Sequence, residues 1–158
     1  MLPDVLDHGL SIVFCGTAAG STSAAKQQYY AGAGNRFWDI LFQAELTKDK
    51  LNSILSRSVL HYKLGLTDLV KGKSGMDATL NRSDFDHAAF REKILHYKPK
   101  LVCFNGKKAA EEYLGHKVSY GLQPETIGDT KLYVAPSTSR AANGSWDAGY
   151  WHKLKDWL

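Results

Sequence analysis

Short apolar runs alternate along this chain with longer stretches of helical periodicity. Four runs rich in leucine, β-branched and aromatic residues predict buried strands at Ser11–Cys15, Leu64–Asp68, Leu101–Asn105 and Leu132–Ala135. Glycine, proline or polar residues follow them, as is usual where strands end. Because the runs are apolar at nearly every position, the pattern favours strands that are covered on both faces, as in a parallel sheet.

Helical periodicity fills the intervals between these runs. Apolar side chains recur at helical spacing from Phe37 to Ala44, with Asn35 as the expected N-cap. Further helical segments are predicted at Leu51–Leu60, from a cap at Ser83 to near Tyr97, at Gly106–Leu114 and at Ala148–Leu158. The alternation predicts an α/β fold, a three-layer α/β/α sandwich around a mainly parallel, four-stranded central sheet.

Ligands of such sheets bind beyond the carboxyl ends of the strands. The loops at those ends are Gly16–Gly34, Asp68–Gly75, Asn105–Gly106 and Pro136–Ser145, so we expect any site to be built from these segments. A length of 158 residues is typical of one domain, and we expect residues 1–158 to form it.

Composition excludes several classes of protein. Hydrophobic residues make up 44% and charged residues 23% of the chain, which is typical of globular domains and not of disordered ones. No apolar run approaches the roughly 18 residues of a membrane span, and no basic region precedes an apolar stretch at the N-terminus. We therefore expect a cytoplasmic protein without a membrane partner. The net charge of +4 permits nucleic acid as a partner without requiring it.

The residues that usually hold metals are few or badly spaced. Cys15 and Cys103 both lie inside apolar runs, and two thiols can neither frame a disulfide scaffold nor hold an iron–sulfur cluster that needs four. The six histidines include no pair at metal-binding spacing. We expect neither a metal site nor an iron–sulfur cluster.

A glycine-rich turn follows the first predicted strand. Its sequence, Gly16-Thr17-Ala18-Ala19-Gly20, is neither the dinucleotide-binding fingerprint nor a phosphate-binding loop of the Walker type. Taken alone, it indicates only a place where the backbone can approach a ligand closely.

The combination of three segments is more specific. After the glycine-rich turn comes Tyr30-Ala31-Gly32-Ala33-Gly34-Asn35-Arg36-Phe37-Trp38, which opens a helix, and Pro136-Ser137-Thr138-Ser139-Arg140 follows the last strand. In this order, over nearly the whole chain, the sequence resembles the uracil-DNA glycosylase superfamily, in particular its mismatch-specific branch. The block around Asn35-Arg36-Phe37-Trp38 is the most distinctive part.

The resemblance implies a monofunctional DNA repair enzyme of base excision repair. It would extrude uracil from DNA into a pocket and hydrolyse the N-glycosidic bond, leaving an abasic site. Its partners would be uracil-containing DNA and the abasic product, and it would act as a monomer without a cofactor. The alternatives are a non-catalytic or product-trapping binder of damaged DNA, and a nucleotide or small-molecule enzyme on a similar sheet.

The resemblance also places the site. It implies a base-binding set, a pair of candidate catalytic residues that handle the attacking water, and a DNA-binding set. The base-binding set is Gly16, Thr17, Ala18, Tyr30, Asp68 and Asn105; the catalytic pair is Asn35 and Asp68; the DNA-binding set is Ser137, Thr138, Ser139, Arg140 and Lys107.

Each of these side chains also has a purely structural interpretation. Tyr30 can be a core aromatic, Asn35 a helix cap, Asp68 a solvated loop residue or cap, and Asn105 a loop-holding amide. In the functional interpretation, Tyr30 stacks on the extruded base and Asp68 accepts the N3–H of uracil, a donor that cytosine lacks. Arg140 is the only long side chain after Pro136 that can fill the gap left in the duplex.

Two positions depart from the family pattern. Ala18 stands where relatives carry an Asn or Asp that positions the water, and Ala135 stands where they often carry His or Asn. A methyl group can neither bind nor activate water, so we expect Asn35 or Asp68 to take over that task. Backbone N–H groups near Thr17 and Tyr30 are the expected stabilisers of the departing uracil anion.

Overall fold

The computed structural model describes residues 2–71 and 86–158. Its strands are β1 (Ile12–Ala18), β2 (Leu64–Val70), β3 (Leu101–Asn105), β4 (Gly121–Ile127) and β5 (Thr130–Ala135). Its α-helices are α1 (Ser21–Lys26), α2 (Phe37–Gln43), α3 (His87–Tyr97), α4 (Lys107–Leu114) and α5 (Gly149–His152). Segments of 3-10 helix occur at Ser53–Tyr62, Arg140–Ser145 and Lys153–Trp157.

The central sheet has the strand order β2-β1-β3-β5-β4. β1 pairs in parallel with both β2 and β3, and β3 pairs in parallel with β5. The carboxyl ends of these four strands therefore meet at one edge of the sheet. The predicted α/β/α sandwich with a mainly parallel sheet is confirmed.

Two apolar cores cover the two faces of the sheet. Because side chains alternate along a strand, Ile12 and Phe14 of β1 face one core while Val13 and Cys15 face the other. The first core contains α2, α5 and the 3-10 segments next to them, with Trp151 completely buried at its centre. The second core contains α3 and α4.

The described sheet has five strands and not the four that were predicted. β4 pairs antiparallel with β5 through a tight turn at Gly128-Asp129, and Gly128 has a positive φ of 59°. The sequence of β4 conceals the strand, because every second side chain is exposed and Pro124 interrupts the run. Proline is tolerated here because β4 is an edge strand.

Some predicted boundaries also need correction. β1 continues to Ala18 and β2 to Val70, so the predicted loops begin two to three residues later, and the first of them contains α1. The predicted helices at Leu51–Leu60 and Ala148–Leu158 are wholly or partly 3-10 helix. Ser83 lies outside the described residues, and the described α3 is capped by Asp86, which accepts from Ala89 N–H at 3.0 Å.

Over the described ranges, no helix combines the length and the apolar character needed to cross a membrane.

Candidate active site

A cleft of about 750 Å³ opens at the edge where the four parallel strands end. Its walls come from the end of β1 and the loop after it, from β2, from the β3–α4 turn and from the loop after β5. Every residue proposed from the sequence for base binding, catalysis or DNA binding lines this cleft: Gly16, Thr17, Ala18, Tyr30, Asn35, Asp68, Asn105, Lys107, Ser137, Thr138, Ser139 and Arg140. The structure thus brings the whole set together.

The floor of the cleft is formed where Gly16 pairs with Asp68. These two residues are directly opposite each other in the β1–β2 register, so their Cα–Cβ directions lie on the same face of the sheet. A Cβ atom on Gly16 would lie 3.0 Å from Asp68 Oδ1 and 3.7 Å from the Tyr30 hydroxyl oxygen. The missing side chain at Gly16 therefore leaves a space that a carboxylate oxygen and a phenol both border.

Tyr30 is held in place by a ring contact with Phe37 and by a hydrogen bond to the adjacent backbone. Its ring stacks on Phe37 with centroids 3.9 Å apart and planes inclined by 24°. The backbone at Tyr30 has a positive φ of 53°, and the indole N–H of Trp38 donates to the carbonyl of the preceding Tyr29 at 3.0 Å. Because Phe37 covers one face of the ring, only the opposite face is available to a base.

The Tyr30 hydroxyl is buried, and although Asn105 lies nearby, no described residue partners it at hydrogen-bond geometry. Burial raises its pKa well above the ordinary value, and the Asp68 carboxylate acts in the same direction. The hydroxyl therefore stays protonated and keeps its donor hydrogen. A buried donor without a partner is costly in a closed core and useful where a ligand arrives.

A chain of charged groups lies behind Asp68. Lys71 Nζ is 3.4 Å from Asp68 Oδ2 and 2.6 Å from Asp4 Oδ1, and Asp4 Oδ2 is 2.5 Å from Lys93 Nζ. Lys71 also donates to the Tyr29 hydroxyl at 3.0 Å and to the carbonyl of Leu2 at 3.1 Å. Two carboxylates and two ammonium groups thus balance one another below the floor of the cleft.

The charge chain sets the ionisation of its carboxyl groups. Burial raises the pKa of Asp68 above its ordinary value, while the charge of Lys71 works against burial. Burial also raises the pKa of Asp4, but this is outweighed by Lys71, Lys93 and the Thr67 hydroxyl. Together they bring the pKa of Asp4 below its ordinary value. Asp68 is only 5% exposed, so its charge depends on Lys71 and not on solvent.

This charge chain was not predicted from the sequence. Lys71 is three residues after Asp68 at the end of the same strand, and that spacing was the one available signal. Asp4 is far away in the chain and comes to the site because Val5 pairs with Leu66 of β2 in an isolated bridge. No local pattern around Asp4 indicates this contact.

Asn35 both supports α2 and lines the cleft. Its Oδ1 accepts from the Phe37 N–H at 3.0 Å, although the helix itself begins one residue later than predicted, with Arg36 at the N-cap position. This bond occupies one lone pair of the amide oxygen. The side-chain NH₂ group and the other lone pair are available for a water molecule in the cleft.

Asn105 holds the loop that follows β5. Its Oδ1 accepts from the Thr138 backbone N–H and its Nδ2 donates to the Thr138 hydroxyl, both at 2.9 Å. The Thr138 carbonyl in turn accepts from the Arg36 N–H at 2.9 Å. Thr138 has no exposed surface, so its predicted role as a phosphate contact needs correction: it joins β3, α2 and the loop after β5.

The remaining DNA-binding candidates form the rim of the cleft. Ser137 and Ser139 are partly exposed, and Ser139 caps the 3-10 segment by accepting from Ala141 N–H at 3.3 Å. The aliphatic stem of Arg140 passes over Gly34, where a Cβ would lie 2.7 Å from Arg140 Cδ. The missing side chain at Gly34 therefore makes room for the stem of Arg140 at the rim, where Arg140 is exposed. Lys107 Nζ lies on the rim as well, 4.4 Å from the centre of the Tyr120 ring.

The two alanines that the sequence resemblance marks as departures lie in regular strands. Ala18 pairs with Val70 at the end of β1, and Ala135 is completely buried opposite Asn105. In the part of the chain that the structure describes, no cluster of three or more His, Cys, Asp or Glu side chains could hold a metal ion.

Comparison with known proteins identifies the family. The sequence model of the uracil DNA glycosylase superfamily matches residues 3–158. The structure is similar to the solution NMR structure of a candidate uracil DNA glycosylase from Methanosarcina acetivorans, with a TM-score of 0.68 and 26% sequence identity. That alignment covers 98% of this chain and 96% of the other. The family model matches nearly the whole chain, and the cleft lies at the carboxyl edge of the sheet. The chain therefore belongs to the uracil DNA glycosylase superfamily.

Proposed function

We propose that this protein excises uracil from DNA as a monofunctional glycosylase. The observation that carries the proposal is the space beside Gly16, which the Asp68 carboxylate borders together with the Tyr30 hydroxyl, a group without a hydrogen-bond partner among the described residues. This space at the floor of the cleft is bordered by a hydrogen-bond acceptor and a donor. A flipped pyrimidine offers complementary groups on its Watson–Crick edge.

Asp68 selects the base by the kind of group it can meet. An ionised carboxylate only accepts hydrogen bonds, so it favours the N3–H of uracil over the bare N3 of cytosine. Lys71 holds the other carboxylate oxygen, which fixes the orientation of the group and favours its charged form. The face of Tyr30 that is not covered by Phe37 stacks on the base.

Hydrolysis breaks the bond between C1′ of the sugar and N1 of uracil. The electron pair of that bond leaves with uracil, a water oxygen bonds to C1′, and one proton of that water is released. Donors directed at the base stabilise the developing anion, and this is commonly the largest contribution in such sites. The backbone N–H groups near Thr17 and Tyr30 are the donors that we assign to this task.

The attacking water needs a group other than residue 18, because Ala18 carries no polar atom. Asn35 can orient it through the part of its amide that does not cap α2. Asp68 Oδ1 is the alternative, in place of its role in accepting the uracil N3–H. Either side chain acts here chiefly by orientation, since an amide is not a useful base and Asp68 is engaged by Lys71.

A second function is favoured by the two alanines. With Ala18 and Ala135 in place of the polar residues usual in relatives, the same cleft could bind damaged or abasic DNA without cleaving the glycosidic bond.

One experiment separates the two functions. The protein is incubated with a labelled oligonucleotide that contains a single uracil, and the products are treated with alkali and resolved by length. Strand breakage at the uracil supports the glycosylase. A shifted complex on a native gel without breakage supports the binding protein, and the matched oligonucleotide with thymine in place of uracil is the control.

A further inference from the structure

Beyond the cleft, a row of alternating cations and aromatic rings continues across the same edge of the sheet. Lys107 Nζ lies 4.4 Å from the centre of the Tyr120 ring, the rings of Tyr120 and Tyr150 are 5.2 Å apart, and Lys153 Nζ lies 5.2 Å from the centre of the Tyr150 ring. We call these four residues the aromatic row. Lys107 and Tyr120 also line the cleft, so the row is continuous with it.

The fold fixes the two rings of the aromatic row in place. Tyr120 immediately precedes β4, whose first residue, Gly121, pairs with Val134 near the carboxyl end of β5. The carbonyl of Tyr150 accepts from the Tyr133 hydroxyl at 2.6 Å, which ties the start of α5 to β5. Tyr150 therefore stands on α5 and Tyr120 directly before β4, both at the edge of the sheet where the cleft opens.

The charges of the aromatic row are available to a partner. Lys107 and Lys153 are exposed, and neither forms an ion pair within the described residues, although several acidic side chains lie on the same elements. Glu112 is engaged by Lys108, and Glu111 lies near Lys117. Tyr120 and Tyr150 are partly exposed.

From this arrangement we propose that the aromatic row binds an unpaired stretch of the DNA strand that carries the flipped nucleotide. Partly exposed aromatic rings flanked by free lysines are typical of surfaces that bind single-stranded nucleic acid, since bases stack on the rings and phosphates meet the cations. Paired bases in a duplex present no free face to such rings. The proposal rests on the proposed function for the position of the flipped nucleotide, and it adds a preference for single-stranded over double-stranded DNA.

The test measures the affinity for DNA that contains no lesion. Binding of a fluorescent 20-nucleotide single strand, and of the same sequence as a duplex, is measured by anisotropy for the parent, Tyr120→Leu and Tyr150→Leu. We expect each substitution to weaken single-strand binding at least fivefold, as for the loss of one base–aromatic stack. Duplex binding should change less than twofold.

Controls separate this effect from loss of the fold. Tyr97→Leu removes an aromatic ring at the end of α3, away from the cleft, and should leave both affinities unchanged. Tyr120→Phe keeps the ring and should retain single-strand binding even if Tyr120→Leu does not fold. Lys107→Gln and Lys153→Gln should each reduce the salt dependence of single-strand binding by about 0.7 in log–log slope, whereas Lys100→Gln should not.

Equal losses on single strand and duplex would overturn the proposal, and so would unchanged single-strand binding in both leucine variants. Because these oligonucleotides contain no uracil, the result does not depend on excision. If the parent binds single strands through the aromatic row but never cleaves at uracil, the proposed glycosylase function is wrong. The proposal that the aromatic row binds single-stranded DNA is then still supported.

Discussion

Substituting Gly16 by alanine tests the space between Asp68 and Tyr30 directly. The added methyl carbon would lie 3.0 Å from Asp68 Oδ1, closer than ordinary van der Waals contact, and 3.7 Å from the Tyr30 hydroxyl oxygen. Gly16 is not among the residues with positive φ, so the backbone accepts alanine without strain. The methyl group therefore fills the space, and the carboxylate must retreat by a few tenths of an ångström.

The expected loss follows from what the space holds in the proposed complex. A hydrogen bond to a charged acceptor contributes about 1.5–3 kcal/mol, so blocking the one between uracil and Asp68 should lower the rate constant by about tenfold to 150-fold. Crowding the carboxylate should cost about 1 kcal/mol of folding stability, which lowers the melting temperature by about 2–4 °C. The assay is single-turnover excision from a uracil-containing oligonucleotide, with thermal melting measured on the same preparation.

Gly20→Ala is the matched control. Gly20 lines the same cleft, has an ordinary φ of −64°, and would place its Cβ in open space. It should excise uracil at close to the parent rate. If Gly16→Ala also retained the parent rate while its melting temperature fell as expected, the base would not occupy this space, and base recognition by Asp68 would be refuted.

Three further predictions concern stacking, charge and packing. Tyr30→Ala should weaken transition-state stabilisation by about 1–3 kcal/mol in single-turnover excision, as for the loss of one base–aromatic stack. Lys71→Met removes a charge that lowers the pKa of Asp68, so that pKa should rise. Because the proposed excision requires ionised Asp68, the acidic limb of the pH–rate profile should move to higher pH. Thr47→Val should raise the melting temperature, because the buried Thr47 hydroxyl has no partner in the described structure. Thr138→Val should lower the melting temperature, because it removes the hydroxyl that accepts from the Asn105 amide.

The parallel part of the fold could be predicted from the sequence because its strands are apolar at nearly every position. The runs at Ser11–Cys15 and Leu101–Asn105 are buried on both faces, and only a parallel sheet covered by helices provides that environment. β4 could not be predicted in the same way, because it is a half-exposed edge strand with Pro124 at its centre. The turn at Gly128-Asp129 was its one local signal.

The composition of the cleft could be predicted, but its supporting contacts could not. Asp68 and Asn105 were found because polar side chains at the ends of buried strands are unusual and because the motif order placed them. The contacts of Asp68 with Lys71 and, through it, with Asp4 depend on how the N-terminal segment crosses β2. Such long-range contacts leave no periodic pattern in the sequence.

Ala18 and Gly16 belong to one arrangement at the end of β1. Residues 16 and 18 of β1 face the same side of the sheet, as does Asp68 opposite Gly16. A polar side chain at position 18 would place its oxygen near the end of β1. The carboxylate of Asp68 comes from the neighbouring strand, opposite residue 16, and so lies two residues further from the strand end. Gly16 leaves space beside that carboxylate because it has no side chain, and Lys71 offsets the cost of burying the charge. In the proposed function the polar side chain at the cleft floor therefore comes from β2 and not from β1, and Gly16, Asp68 and Lys71 act together in supplying it.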